Sequence, residues 1–192
     1  MQQLFDALRK IHRLPEELKQ YITSGLEEFE WQPGVKPVEV GQVNRYIYFI
    51  KSGLLYIRRP AEDESSVHWI LGKNDFVIIP SVFATQEPSK DELVVADSVV
   101  ALGYTKVRLD KTCEEFNLFN THYKLITQIY RNREIEHADM LKKRPDERLN
   151  WLWAAHPEYF GRVTVDVICS YLGITKGQYY YCNDQRRGRG KI

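Results

Sequence analysis

The chain has 192 residues, of which 43% are apolar, and its formal net charge is +1. This composition indicates a globular protein with room for one large or two modest domains, and it excludes a disordered chain. The near-neutral total hides an asymmetry, because residues 142–192 carry ten Lys or Arg against five Asp or Glu. A basic end on an acidic body predicts contact with a polyanion at that end; the alternative is a solvated basic tail.

The three cysteines, Cys113, Cys169 and Cys182, lie far apart and lack the spacing of zinc or iron–sulfur ligands. The N-terminus is amphipathic without the apolar run of a secretory signal, and no segment is long enough to cross a bilayer. We therefore expect reduced thiols, no bound metal, no membrane partner and a cytoplasmic location.

The first half of the chain predicts helices followed by a β-barrel. Residues 2–30 space their apolar side chains as helices with one buried stripe, broken near Leu14-Pro15. After a turn at residues 31–34, short β-rich runs separated by Gly, Asn, Asp or Pro continue to about Leu109. Such runs predict an antiparallel jelly-roll rather than βαβ units. The expected strands are 36–40, 45–50, 53–59, 66–71, 76–79, 93–96 and 99–104.

A single long helix is predicted over 119–143, with charged residues on both sides of a narrow apolar stripe. A narrow stripe suits pairing with a second copy of the helix, so we expect a homodimer. The alternative is that the helix packs along the chain's own barrel. A helix that packs on the barrel with one face and on a second copy with the other would satisfy both predictions. The predicted dimer contacts are Tyr123, Ile126, Tyr130, Arg133 and His137, with Met140 continuing the stripe.

The break at Arg144-Pro145-Asp146 is the best domain boundary in the chain. It predicts a sensor barrel with N-terminal helices over 1–118, a dimerisation helix over 119–144 and a C-terminal domain over 145–192.

Residues 163–187 of the C-terminal domain predict a helix-turn-helix. Thr164 is a good N-cap, Gly173 can adopt the left-handed backbone of a sharp turn, and Thr175 can cap the second helix. In a DNA-binding motif of this kind the second helix enters the major groove; an αα-corner without a nucleic-acid role is the alternative. The predicted DNA contacts are Thr164, Thr175, Lys176, Gln178 as an adenine reader, Tyr180, Tyr181, Arg186 and Arg187.

The core of this motif, Ile168–Thr175, resembles the winged helix-turn-helix of the Crp/Fnr family. Pro33-Gly34, Gly41 and the runs 48–53 and 71–77 resemble the glycine turns and strands of that family's cyclic-nucleotide-binding barrel. The order of the elements is also the family's, so the resemblance covers nearly the whole chain. It implies an α+β fold and a bacterial transcription regulator that acts as a homodimer on double-stranded DNA, with RNA polymerase as a further candidate partner.

One departure from the family concerns the ligand. Members that bind cyclic AMP carry a Gly-Glu pair and an Arg, because Arg pairs with the cyclic phosphate and Glu holds the ribose hydroxyl. Residues 73–90 have neither, and no Arg occurs between Arg59 and Arg108. We expect no cofactor, and a small-molecule effector other than cyclic AMP or none; the histidines leave haem sensing open. The candidate pocket residues are Ser81, Ser89, Lys90 and Tyr130.

A second departure concerns the recognition helix, which carries Lys176-Gly177-Gln178 and three tyrosines where relatives often have Pro, Glu and later Ser-Arg. Gly177 costs about 1 kcal/mol of helix propensity. The alternative function is therefore a barrel that binds a small molecule or protein, with a degenerate helix-turn-helix that no longer reads DNA. An enzyme is not expected, because no catalytic triad, metal-ligand motif or phosphate loop is recognisable.

Overall fold

A computed structural model of the chain describes residues 1–60 and 66–189, with side chains described up to residue 186. It confirms the predicted class, helices combined with one antiparallel sheet. The helices are α1 Gln2–Ile11, α2 Glu16–Thr23, α3 Pro80–Phe83, α4 Lys106–Glu115, α5 Asn117–Met140, α6 Pro145–Ala155, α7 Val165–Leu172 and α8 Lys176–Arg189. The strands are β1 Glu27–Trp31, β2 Tyr46–Arg59, β3 Ser66–Leu71, β4 Phe76–Val77 and β5 Glu92–Thr105.

Two long strands form the centre of the sheet, whose order is β1-β5-β2-β3 with β4 paired to β2. The prediction of four short strands here was wrong, because 45–50 with 53–59 and 93–96 with 99–104 each form one continuous strand. The register of β2 on β5 shifts near Gly53, which has a φ of +96°. A Cβ at Gly53 would lie 2.2 Å from the carbonyl oxygen of Ser98, so glycine lets the strand bend without ending.

Three other predicted elements were also wrong. Glu27–Trp31 is a strand paired with β5 rather than a helix end, and its odd-numbered aromatic rings pack on Tyr48. Period-two alternation over five residues is too short to be separated from a helical pattern by sequence alone. Residues 36–40 contribute one isolated bridge, at Val38, and the predicted strand 76–79 shortens to Phe76–Val77.

The N-terminal helices, α4 and α5 share one apolar core with the barrel. Leu8, Leu18 and Ile22 come from the first two helices, while Leu109 and Ile126 come from the last two, and all five are buried. This packing fixes α5 along the side of the barrel.

The C-terminal module also packs on the barrel, through a second core. Leu54 and Ile70 of the strands belong to the same buried cluster as Leu172 of α7. The hydroxyl of Tyr159 donates to the carbonyl oxygen of Ile70 at 3.0 Å, and Val67 N–H donates to the hydroxyl of Ser170 at 2.9 Å. The predicted three-domain division stays a prediction, and this contact joins its first and third parts.

Among the described residues, no helix combines the length and apolar character that a membrane crossing requires. The same residues contain no group of three or more His, Cys, Asp or Glu side chains able to hold a metal ion.

Candidate nucleic-acid interface and effector cavity

Helix α7 and its turn are defined by an N-cap threonine, a C-cap glycine and an arginine from α6. The Thr164 hydroxyl accepts a hydrogen bond from Val167 N–H at 3.4 Å, as its N-cap position predicts. Gly173 ends the helix with a φ of +60°, the left-handed conformation expected from the sequence. Arg148 of α6 donates to the carbonyl oxygens of Leu172 and Gly173 at 3.0 and 2.9 Å. Sequence analysis missed Arg148, since nothing local to it indicates a turn 24 residues away.

Helix α8 begins with a capping box. The Thr175 hydroxyl accepts from Gln178 N–H at 3.2 Å, and the Gln178 side-chain oxygen accepts from Thr175 N–H at 2.9 Å. Reading adenine bidentately needs both the oxygen and the amino group of the side chain. In this structure the oxygen accepts a hydrogen bond from the Thr175 backbone, so Gln178 caps the helix, and its adenine contact stays a prediction.

The first half of α8 presents an exposed face of mixed chemistry. Tyr180 and Tyr181 project into solvent, with Tyr181 67% exposed, while Tyr179 is buried against the module. The Lys176 ammonium pairs with Asp166 of α7 at 2.6 Å, and this hydrogen bond raises the pKa of Lys176. Thr164 and Thr175, at the starts of the two helices, are exposed as well. The predicted contacts Thr164, Thr175, Lys176, Tyr180 and Tyr181 are therefore accessible.

Arg186 lies at the other end of α8, where it contacts α6. Its guanidinium carbon is 4.1 Å from the centre of the Trp153 ring, and Trp153 stacks on Phe160 with centroids 3.6 Å apart. A cation–π contact therefore holds Arg186 on its own module in this structure, and its phosphate contact stays a prediction. The Arg187 side chain and residues 190–192 lie outside the described part of the chain.

The wing implied by the family resemblance is not found in the residues that the structure describes. Between α6 and α7 there is a short 3-10 turn, Pro157–Tyr159, and one isolated bridge, Phe160 to Val163. The described part of the motif is two helices joined by the turn at Gly173 and supported by α6 and by the barrel.

A cavity of about 290 Å³ lies between the barrel and the C-terminal half of α5. Its polar lining consists of Arg59, His68, Ser81, Asp91, Glu134 and His137. Asp91 is 5% exposed, and Arg59 donates two hydrogen bonds to its carboxylate, at 2.8 and 3.1 Å. The Ser81 hydroxyl and a His68 ring nitrogen lie 3.5 and 3.9 Å from the same carboxylate. Sequence analysis missed Asp91 and Arg59, which meet at one end of the pairing between β2 and β5, beside the register pair Arg58 and Glu92, although they are 32 residues apart in the chain.

The four residues predicted for the effector pocket do not come together. Ser81 lines the cavity. Ser89 is buried in the turn before β5, where its hydroxyl donates to the Asp91 carbonyl at 2.7 Å, and Lys90 is exposed. Tyr130 is buried, with its hydroxyl donating to the carbonyl oxygen of Phe76 and accepting from Ile78 N–H. The hydroxyls of Ser89 and Tyr130 are therefore bound to the backbone, and Ser89, Lys90 and Tyr130 do not line this cavity.

The stripe of α5 predicted for the dimer faces the chain's own barrel and C-terminal module, so the predicted face is corrected. Ile126 and Tyr130 are buried, Tyr123 packs on the same core, and Arg133 pairs with Asp75 at 2.5 Å. His137 Nε2 lies 2.7 Å from the Tyr171 carbonyl oxygen, and the two rings stack 4.3 Å apart. Burial lowers the pKa of His137. The large apolar residues of α5 left exposed are Leu125, Ile129 and Ile135.

Comparison with known proteins gives structural matches alone, since no family profile and no curated protein sequence matches the chain. FixK2 from Bradyrhizobium japonicum has 13% identity and a TM-score of 0.77, with 86% of each chain covered. CLP from Xanthomonas campestris, a c-di-GMP responsive global regulator, has 12% identity and a TM-score of 0.70, over 92% of this chain and 93% of CLP. A protein from Eubacterium rectale assigned to the Crp/Fnr regulators has 11% identity and a TM-score of 0.72, over 92% of this chain and 85% of that one. None of the three names describes an enzyme.

Proposed function

We propose that this chain, which has the fold of the Crp/Fnr transcription regulators, is a homodimeric DNA-binding regulator with a sensor barrel. The observation that carries the proposal is the turn at Gly173, which presents the exposed first half of α8 at the surface of a module with excess positive charge. The structural relatives are consistent with this reading, because two of them are named as regulators.

The proposed DNA contacts are at the start of α8 and the N-cap of α7. The hydroxyls of Thr164 and Thr175 suit phosphate contacts, while the rings of Tyr180 and Tyr181 suit thymine methyl groups or phosphates. Asp166 competes with DNA for Lys176, because their ion pair holds the ammonium. Removing the Asp166 carboxylate is therefore expected to strengthen DNA binding.

The proposed dimer contact is the outward face of α5. Leu125 and Ile135 are exposed apolar residues on the side of the helix away from the barrel, whereas Ile129, which is also exposed, lines a groove between α1 and α5. Pairing of two such helices would place the two copies of α8 for half-sites about 34 Å apart, one DNA turn. RNA polymerase stays a candidate partner on the family resemblance alone.

The proposed effector site is the cavity beneath α5, whose volume is at the lower end of about 300–1,000 Å³ for ligand pockets. Asp91 is buried there and its partner Arg59 is already engaged, and Glu134 adds a second carboxylate. A cyclic phosphate would meet like charge without a free guanidinium to pair with. We therefore propose a neutral or cationic effector rather than a cyclic nucleotide.

The test is selection of bound sequences from a random DNA-duplex library at two salt concentrations. A two-fold symmetric site is expected, and Tyr180→Ala combined with Lys176→Gln should weaken binding at least tenfold. Lys111→Gln, an exposed lysine on α4, is the charge-matched control and should leave the affinity unchanged. Binding without sequence preference that vanishes at moderate salt would instead favour a barrel with a degenerate helix-turn-helix.

A further inference from the structure

A groove on the far side of Tyr130 from the effector cavity has the features of a second ligand site. It lies between α1, the turn from β3 to β4 and the middle of α5, and its volume is about 580 Å³. This volume is within the range of small-molecule pockets. We propose that it binds an amphiphilic carboxylate, a medium-chain fatty acid or its close analogue.

The floor of the groove is apolar. Ala7 and Ile11 line it from α1, Phe76 lines it from β4, and Ile126 and Ile129 line it from α5. Phe76 and Ile126 also line a small apolar cavity of about 40 Å³ beneath α1. An alkyl chain lying along this floor would cover Ile129, which is exposed in the single chain. The floor thus favours a hydrocarbon chain over a polar ligand.

The rim of the groove carries two unpaired cations. Lys10 of α1 and Lys73 of the β3–β4 turn both line the groove, and neither has an ion-pair partner among the described residues. The two carboxylates on the rim are already neutralised, since Asp6 pairs with Arg9 at 3.2 Å and Asp75 pairs with Arg133 at 2.5 Å. A carboxylate head group would therefore find uncompensated positive charge at Lys10 and Lys73.

This ligand would act on the same helix as the effector cavity, but through different residues. Tyr130 and Arg133 line the groove, whereas Glu134 and His137 line the cavity. Both sites therefore contact α5, and occupancy of the groove would stabilise the arrangement in which α1 and α5 close on the β3–β4 turn.

Binding is tested by calorimetric titration of the full chain with decanoate below its micelle concentration, without DNA. Decanoate should bind about fifteenfold more tightly than octanoate, because it has two more methylenes and each buried methylene adds roughly fourfold in affinity. Decylamine, which has the same chain and a positive head, should bind at least tenfold more weakly than decanoate. Since no DNA is present, failure here is distinguishable from failure of the proposed function.

The variant Lys10→Gln with Lys73→Gln should lower decanoate affinity about tenfold, and Ala7→Leu should lower it by filling the groove. Lys90→Gln, which changes an exposed lysine beside the turn before β5, is the matched control and should leave the affinity unchanged. Unfolding temperatures identify any variant that fails to fold. The proposal would be overturned if decanoate and decylamine bound equally well, or if the double variant kept the full decanoate affinity. It would also be overturned if binding were lost as the chain dimerises, because a second copy would then fill the groove.

Discussion

The two faces of α5 both carry large apolar residues, but their environments are opposite. Ile126 is 4% exposed and packs on the barrel, whereas Ile135, nine residues further along and on the opposite side of the helix, is 54% exposed. Both residues lie on a helix whose spacing of apolar residues predicts packing against another surface. The difference teaches that periodicity identifies an amphipathic helix without saying which surface, the chain's own barrel or a partner, occupies each face.

The largest effect on stability should come from shortening a side chain on the buried face. Ile126→Ala removes three carbons from a closed core, so we expect the free energy of unfolding to fall by about 2 to 5 kcal/mol. Ile135→Ala makes the same chemical change on the exposed face and should alter the unfolding free energy of the monomer by less than about 0.5 kcal/mol. Denaturant titration at low concentration measures both, and equal losses would abolish the contrast between the faces.

Removing the buried hydroxyl of Tyr130 should have the next largest effect on the free energy of unfolding. Tyr130→Phe leaves the Phe76 carbonyl and the Ile78 N–H without the hydroxyl that joins them, at a cost of about 1 to 3 kcal/mol. Tyr123→Phe is the matched control, because that hydroxyl has no hydrogen-bond partner among the residues described. A Tyr130→Phe protein as stable as the control would show that α5 is held by apolar packing alone.

The exposed face is tested by placing a charge in it. Ile135→Asp should weaken dimerisation at least tenfold, about 1.4 kcal/mol, while leaving the monomer folded. Val107→Asp changes an exposed apolar residue of α4 and should leave the association unaffected. Sedimentation equilibrium measures the dimer constant. An unchanged constant would place the dimer contact elsewhere on the chain.

The smallest expected effect is a loss of folding stability at acidic pH. Burial lowers the pKa of His137 in the folded chain, so between that pKa and about 6.5 the unfolded chain binds the proton more readily. Stability from the neutral ring is present above pH 6.5 and is lost as the pH falls below it, by at most about 1.4 kcal/mol per pH unit.

His137→Gln should flatten this loss while keeping an amide donor near Tyr171. Burial also lowers the pKa of His122, so part of the acid sensitivity should remain in the variant. Unfolding free energies at pH 7.5 and 5.5 provide the comparison, and an identical pH dependence in both proteins would exclude His137 as a source.

Local chemistry made the helix-turn-helix predictable. Thr164, Gly173 and Thr175 perform the roles expected of them, because N-caps and left-handed glycines act within a few residues of their own position. The role of Gln178 could have been inferred from the same spacing, since Thr-x-x-Gln is a capping-box pattern. The order of helices, barrel, long helix and motif was equally readable from the chain.

Tertiary structure alone decided which faces meet. The bend at Gly53 that merges two predicted strands depends on the approach of Ser98, 45 residues away in the chain. The pairing of Arg59 with Asp91 and the stacking of His137 on Tyr171 join elements that no local pattern connects. Sequence by itself determined the caps of the helix-turn-helix, its turn and the order of the main parts, because those depend on neighbouring residues. The length of the two central strands, the effector cavity, the groove under α1 and the assignment of the two faces of α5 depend on contacts between distant segments, which arise when the strands pair and the helices pack on the sheet.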